Sequence, residues 1–215
     1  VIADELAALC ARASLAGASG RLRRLTLAGA GALGLTLALF PYGLMSGKTL
    51  PRLWSQWGAS AVVAQREGLT ETAAYLMGER WGQPVHYQLV TNNHSMSSTL
   101  PRAARYMRLF AYLPLALRPQ SESALLISFG LGSTLDALTE APGLRSIDVV
   151  DISRDILELG RAIYPAPRRY PLDDPRVRVH VEDGRFFLLT AGRQFDVITA
   201  EPPPPKHAGI VNLYS

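Results

Sequence analysis

Cysteine is almost missing from this chain. Cys10 stands alone, so no internal disulfide can form and no cysteine-based zinc cluster can assemble. The four histidines, His86, His94, His180 and His207, fall on separate predicted elements without ligand spacing, which argues against a metal. No GxSxG run occurs, so a serine nucleophile on a strand-to-helix elbow is excluded. An excess of charge of one sign is lacking too. Lysine and arginine total 22 against 18 acids, and the arginines are scattered rather than grouped in an arm, so nucleic acid is not an expected partner. With 48% hydrophobic and 19% charged residues the chain is not disordered. Its mean hydropathy of +0.09 is high for a soluble domain, and the apolar excess sits near the N-terminus. The first residue is Val1, and Ser215 closely follows an apolar strand and a polyproline run, so a fragment of a longer protein is expected.

A long uncharged run is present. Residues 25–47 carry no charged side chain, a stretch of 23 between Arg21, Arg23 and Arg24 on one side and Lys48 and Arg52 on the other. About 20 apolar residues span a bilayer core, so the length suits a transmembrane helix, with Tyr42, Trp54 and Trp57 as interfacial anchors. Gly29, Gly31, Gly34 and Pro41 are tolerated in such helices. The alternatives are a buried core helix or a cleaved signal peptide, and Asp4 and Glu5 ahead of the basic cluster speak against the latter.

Residues 1–59 thus read as a hydrophobic, membrane-spanning segment, 60–98 as a small β-hairpin element and 99–215 as an incomplete nucleoside-binding domain. Around residues 62–63, 70–76 and 85–90, β-branched and aromatic residues predict strands, with turns at 78–83 and 91–94 where Gly and Asn accept positive φ. Ser98 or Thr99 can cap a helix that has Pro101 in its first turn, and Pro114 is expected to end or kink it. From Ser123 onward, short apolar runs at 124–129, 146–152, 177–181 and 195–200 alternate with helix-length stretches. That alternation predicts an α/β, doubly wound, Rossmann-like sheet.

The first of these strands runs into Gly130-Leu131-Gly132-Ser133-Thr134 and a helix. Glycines there let a ligand approach the backbone, and the helix start offers free N–H groups. The third glycine of a dinucleotide fingerprint is replaced by Leu135, but Asp151 ends the second strand 21 residues beyond Gly130, where a carboxylate receives ribose hydroxyls. Asp183, before Gly184, either accepts an adenine amino group, caps the following helix, or does both. Glu201 ends the fourth strand at the ligand-binding edge, and Pro202 to Pro205 after it add carbonyl acceptors without donors. A carboxylate beside a row of acceptors suits an amine or ammonium substrate; a rigid surface loop with a solvated glutamate is the plain alternative.

The runs ALLISFGLGS (124–133), SIDVVD (146–151), DPRVRVHVEDG (174–184) and FDVITAE (195–201) resemble successive motifs of the spermidine/spermine synthase family. TNNHSM (91–96) and RYMRLFAYLPL (105–115) resemble that family's β-hairpin and following helix, and the likeness extends over roughly residues 60–215. The hydrophobic segment and the Glu-Pro-Pro-Pro-Pro string resemble its membrane-fused bacterial subgroup. The resemblance implies a polyamine aminopropyltransferase on a class I methyltransferase-like fold, held in the cell inner membrane with its catalytic domain cytoplasmic, acting on a small-molecule amine, as a homodimer. It implies decarboxylated S-adenosylmethionine, or S-adenosylmethionine, as co-substrate, and no metal. By position, Gly130, Gly132, Asp151, Asp183 and Gly184 would bind the nucleoside, Glu201 would act as catalytic base, and Tyr106 and Pro202 would line the substrate region.

The sequence departs from that family at two points. A loop acid that holds the donor's aminopropyl ammonium is replaced by Leu131, and a second acid three residues beyond the base by Pro204. A buried ammonium loses about 1.5–3 kcal/mol with each missing charged partner, so polyamine recognition is in question while nucleoside binding is retained. Two other readings follow: an amine N-methyltransferase using S-adenosylmethionine, since Glu201-Pro202-Pro203 resembles an acid-proline motif at that strand end in some such enzymes, and a non-catalytic nucleoside-sensing membrane domain.

Overall fold

The computed structural model describes residues 20–68 and 71–200. Two compact units divide at Met45/Ser46. The first contains one described helix, α1 (Gly20–Leu39). No helix of the described residues is long and apolar enough to cross a membrane, which corrects the expectation of a transmembrane helix and of anchorage through it. The reason is local. Arg23 and Arg24 fall inside α1, and the helix stops short of Pro41, which lacks the N–H that continuation needs. From Leu25 to Leu39 the apolar part is about 22 Å long at 1.5 Å per residue, against a hydrocarbon core of about 30 Å.

A π-helical turn (Met45–Thr49) begins at the division, and in the second unit it leads into the short α2 (Leu50–Trp54). Four antiparallel strands follow in the order β1-β2-β3-β4: β1 (Ala61–Glu67), β2 (Thr72–Arg80), β3 (Gln83–Thr91) and β4 (His94–Ser98). The loops joining β2 to β3 and β3 to β4 are two residues each. Trp81 and Gly82 have φ of 53° and 72°, and Asn92 and Asn93 have 48° and 64°, the twist that matches right-handed strands. One face of this sheet buries Ala74, Leu76 and Val90 against Leu50, with Trp54 packed on them. The opposite face sends Ala73, Tyr75 and Leu89 into the main core.

Helix α3 (Pro101–Leu117) runs on for three residues past Pro114, so of the two outcomes expected there, an end or a kink, the helix does not end. Pro114 has no N–H to give Phe110 four residues earlier; the Thr199 hydroxyl donates to the Phe110 carbonyl instead, at 3.0 Å.

The second sheet is parallel, in the order β7-β6-β5-β8. Its strands are β5 (Ser123–Ile127), β6 (Ser146–Asp151), β7 (Val177–Val181) and β8 (Val197–Ala200), joined through α4 (Ser133–Thr139), α5 (Arg154–Leu159) and α6 (Gly184–Thr190). Side chains alternate across it. Ala124, Leu126, Ile147 and Val149 join the main core, while Leu125 and Val150 pack with Phe187 of α6. Asp148 also faces α6. It is 1% exposed, accepts from His180 Nε2 at 2.8 Å and pairs with Arg193, so its buried charge is neutralised.

Candidate functional site

The carboxyl ends of the parallel strands hold the glycine turn. β5 stops at Ile127, and Ser128 (φ 76°), Gly130 (57°) and Gly132 (79°) swing the chain into α4. Only glycine fits at 132: a Cβ there would lie 2.9 Å from Phe129 Cζ and from the Tyr164 hydroxyl. The turn is braced from behind. Tyr164 donates to the Leu131 carbonyl at 2.8 Å, and the Tyr75 hydroxyl is shared between the carbonyls of Gly130 (3.2 Å) and Ile156 (3.0 Å). Burial raises the phenols of Tyr75 and Tyr164 above their usual range, keeping both as donors.

Asp151 lies under the same turn. Its Oδ2 accepts from the Phe129 N–H at 2.7 Å and its Oδ1 from the Ser153 N–H at 2.8 Å. Burial raises its carboxyl, the two backbone bonds pull the other way, and the charge of Glu71 adds to the rise. Asp183 caps α6, its Oδ1 accepting from the N–H groups of Arg185 (2.8 Å) and Phe186 (3.1 Å), and these bonds hold it below the usual carboxylate range. Gly184 is forced by packing, since a Cβ there would meet Ile127 Cγ2 at 2.5 Å. That contact brings the Asp183-Gly184 corner to the tip of β5. Ala200 pairs with Ile127, so β8 ends at this same edge. Glu201 and Pro202, expected as base and substrate contact, lie outside the described residues, as does Pro204.

One expected residue stands apart from this group: Tyr106 on α3 is 52% exposed, with its ring edge-on to Phe110 at 5.0 Å. Leu131, which stands where the family's loop acid was expected, is 1% exposed and belongs to the main core. Sequence reasoning missed the bracing tyrosines, Glu71 just before β2, and Thr91 and Ser97 of the antiparallel sheet; for Tyr75, Thr91 and Ser97 the signal was alternation along strands not assigned to the site, and for Tyr164 there was none. A groove of about 410 Å³ between α5 and β7, lined by Arg154, Arg161 and Val181 among others, contains none of the expected residues. Among the described residues no group of three or more His, Cys, Asp or Glu side chains could hold a metal.

Parallel strands, a glycine turn and carboxylates at the strand tips define a Rossmann-like, methyltransferase-like domain. Residues 103–209 match the spermine/spermidine synthase domain. Relatives named polyamine aminopropyltransferase include those of Bacillus subtilis (30% identical over 110 residues, 51% of this chain and 39% of the relative) and Pyrobaculum calidifontis (34% over 106 residues, 47% and 36%). These matches support the spermine/spermidine synthase family for this chain. The chain spans well under half the length of those relatives. Among solved structures, a spermidine synthase in complex with the transition-state analogue AdoDATO superposes with a TM-score of 0.59 at 18% identity, covering 69% of this chain and 48% of that one. Spermidine synthase from Thermotoga maritima gives 0.58 at 18% identity, covering 68% and 48%. At that identity the likeness is one of fold.

Proposed function

We propose that this chain is part of an aminopropyltransferase that uses decarboxylated S-adenosylmethionine and a small amine. The observation that carries the reading is the shared edge of the glycine turn, Asp151 and the Asp183-Gly184 corner, all within the matched region. Gly130 and Gly132 let the nucleoside approach the backbone, Asp151 receives the ribose hydroxyls, and Asp183 receives the adenine amino group through the oxygen that does not cap α6. The amine nitrogen forms a bond to the carbon beside the sulfonium as the carbon–sulfur bond breaks, its electron pair passing to sulfur to leave methylthioadenosine. An alkylammonium titrates near ~10, so a base must take its proton, and Glu201 after β8 is the residue assigned to that step. Tyr106 and Pro202 belong to the acceptor side in this reading, and two copies of the chain form a homodimer.

The core position of Leu131 favours a second reading, a nucleoside-binding domain that does not transfer the aminopropyl group, because the turn then offers no carboxylate to its ammonium. An amine N-methyltransferase shares that feature.

Calorimetry with 5′-methylthioadenosine tests the nucleoside site. Asp183→Ser keeps a capping oxygen, so lost affinity reports on the ligand rather than the helix. A loss of about tenfold is expected for one charge-assisted bond, and unchanged affinity would overturn the assignment. Turnover of decarboxylated S-adenosylmethionine with a diamine then separates the transferase from the other readings.

A further inference from the structure

The face that β2, β3 and β4 turn toward the main core becomes polar at one end. Ala73 pairs with Thr91, Tyr75 with Leu89, and Leu89 with Ser97, so these five residues share that face. Glu71 precedes Ala73 by two residues and falls on the same side by alternation. Glu71 Oε1, Thr91 Oγ1 and Ser97 Oγ are all shut off from solvent, and none finds a hydrogen-bond partner among the described residues. Ser97 and Thr91 are only 7% and 9% exposed. Native proteins rarely leave a buried side-chain oxygen unpaired, so three on one face mark a place where donors from a ligand belong.

Their location ties them to the site. Ser97 Oγ points at Gly130, 3.1 Å from where a Cβ would stand. The charge of Glu71 acts on both Asp151 and Tyr75, so it lies in the neighbourhood of the braced turn. A carboxylate only accepts, and hydroxyls beside it can accept as well, so this oxygen set selects a group rich in N–H donors, and its negative charge favours a cation.

We propose that Glu71, Thr91 and Ser97 form an ammonium-binding subsite across the glycine turn from Asp151. The proposal rests on the nucleoside reading of the turn and gives that ligand, or the acceptor beside it, a positively charged amine. It also supplies, from the residue just before β2, the carboxylate that the turn itself lacks, since Leu131 is spent in the core.

Separate calorimetric titrations of the chain with 1,4-diaminobutane and with 5′-methylthioadenosine, which has no ammonium, test the subsite. Glu71→Gln is expected to weaken diamine binding at least tenfold while changing methylthioadenosine affinity less than twofold. Ser97→Ala and Thr91→Val are expected to weaken the diamine several-fold each, and Ser97→Ala, which removes one atom, carries the comparison if Glu71→Gln does not fold. Equal diamine affinity in parent and variants, or no diamine binding by the parent, overturns the subsite even where methylthioadenosine still binds. Diamine binding that depends on Glu71 without any methylthioadenosine binding keeps the subsite and overturns the nucleoside reading.

Discussion

Replacing Thr199 by valine tests how α3 tolerates its internal proline. Pro114 leaves the Phe110 carbonyl without its helical donor, and the Thr199 hydroxyl at 3.0 Å takes that donor's place. Thr199 is 6% exposed, so water is a poor substitute. Valine keeps the volume and removes the donor, leaving a buried carbonyl unpaired at a cost of about 1–3 kcal/mol. In a domain of 150–250 residues that lowers the melting temperature by roughly 2–12 °C, readable by circular dichroism. A second background makes the argument specific. Pro114→Ala restores an N–H that can reach Phe110, so Thr199→Val on top of it is expected to be nearly neutral, giving a coupling of about 1 kcal/mol or more. An equal loss in both backgrounds would show that the hydroxyl does not stand in for the missing N–H. The bond matters beyond stability, because it fastens the strand leading to Glu201 onto the helix that carries Tyr106.

Two further outcomes are expected. Gly132→Ala meets both a φ of 79° and a Cβ position 2.9 Å from Phe129 and Tyr164, so it should lose more than the ~1–2 kcal/mol of a left-handed residue and abolish methylthioadenosine binding; parental melting and affinity would refute the crowding argument. Asp174, hydrogen-bonded by the Arg176 guanidinium and backbone, is held down at about 2 against an ordinary 3.8. Its contribution of about 2 kcal/mol is therefore present above pH 3.8 and lost as pH falls toward about 2. Asp174→Asn should be less stable than the parent at pH 7 by that amount and equal to it near pH 2, and a gap that persists in acid would refute the linkage. Asp151 runs in the opposite sense. Its carboxyl is raised by burial, so the share of stability it carries declines as pH climbs through that raised value.

Much of the parallel sheet was legible because it is buried on both faces, which writes short continuous apolar runs into the sequence. The run at 146–152 became β6 (Ser146–Asp151), and the run at 124–129 became β5 (Ser123–Ile127), which ends two residues earlier because Ser128 turns to positive φ before the glycines. Asn92-Asn93 was equally readable, since asparagine is among the few residues that accept positive φ cheaply. Trp81 at φ 53° was not, as nothing about tryptophan signals that conformation. The apolar run at 25–47 misled because composition ignores where backbone donors are lost. It holds Pro41, and the helix ends before it. Pro114 misled in the other direction, for the hydroxyl that replaces its donor comes from a strand 85 residues further along the chain.

The same contrast explains why half of the site was invisible. Asp151, Asp183 and the glycines announce themselves because each belongs to a local strand-to-loop pattern. What holds the turn in shape comes from elsewhere: Tyr75 from the antiparallel sheet and Tyr164 from the segment after α5 both donate to carbonyls of the turn. Two of the turn's carbonyls are thus occupied from behind, and the Phe129 N–H is taken by Asp151. In the proposed reading, a ligand then meets the carboxylates of Asp151 and Asp183 and, opposite them, the oxygens of Glu71, Thr91 and Ser97. A turn so fixed does not need to reorganise when the ligand arrives, and that preorganisation depends on tertiary contacts between two sheets that no local motif records.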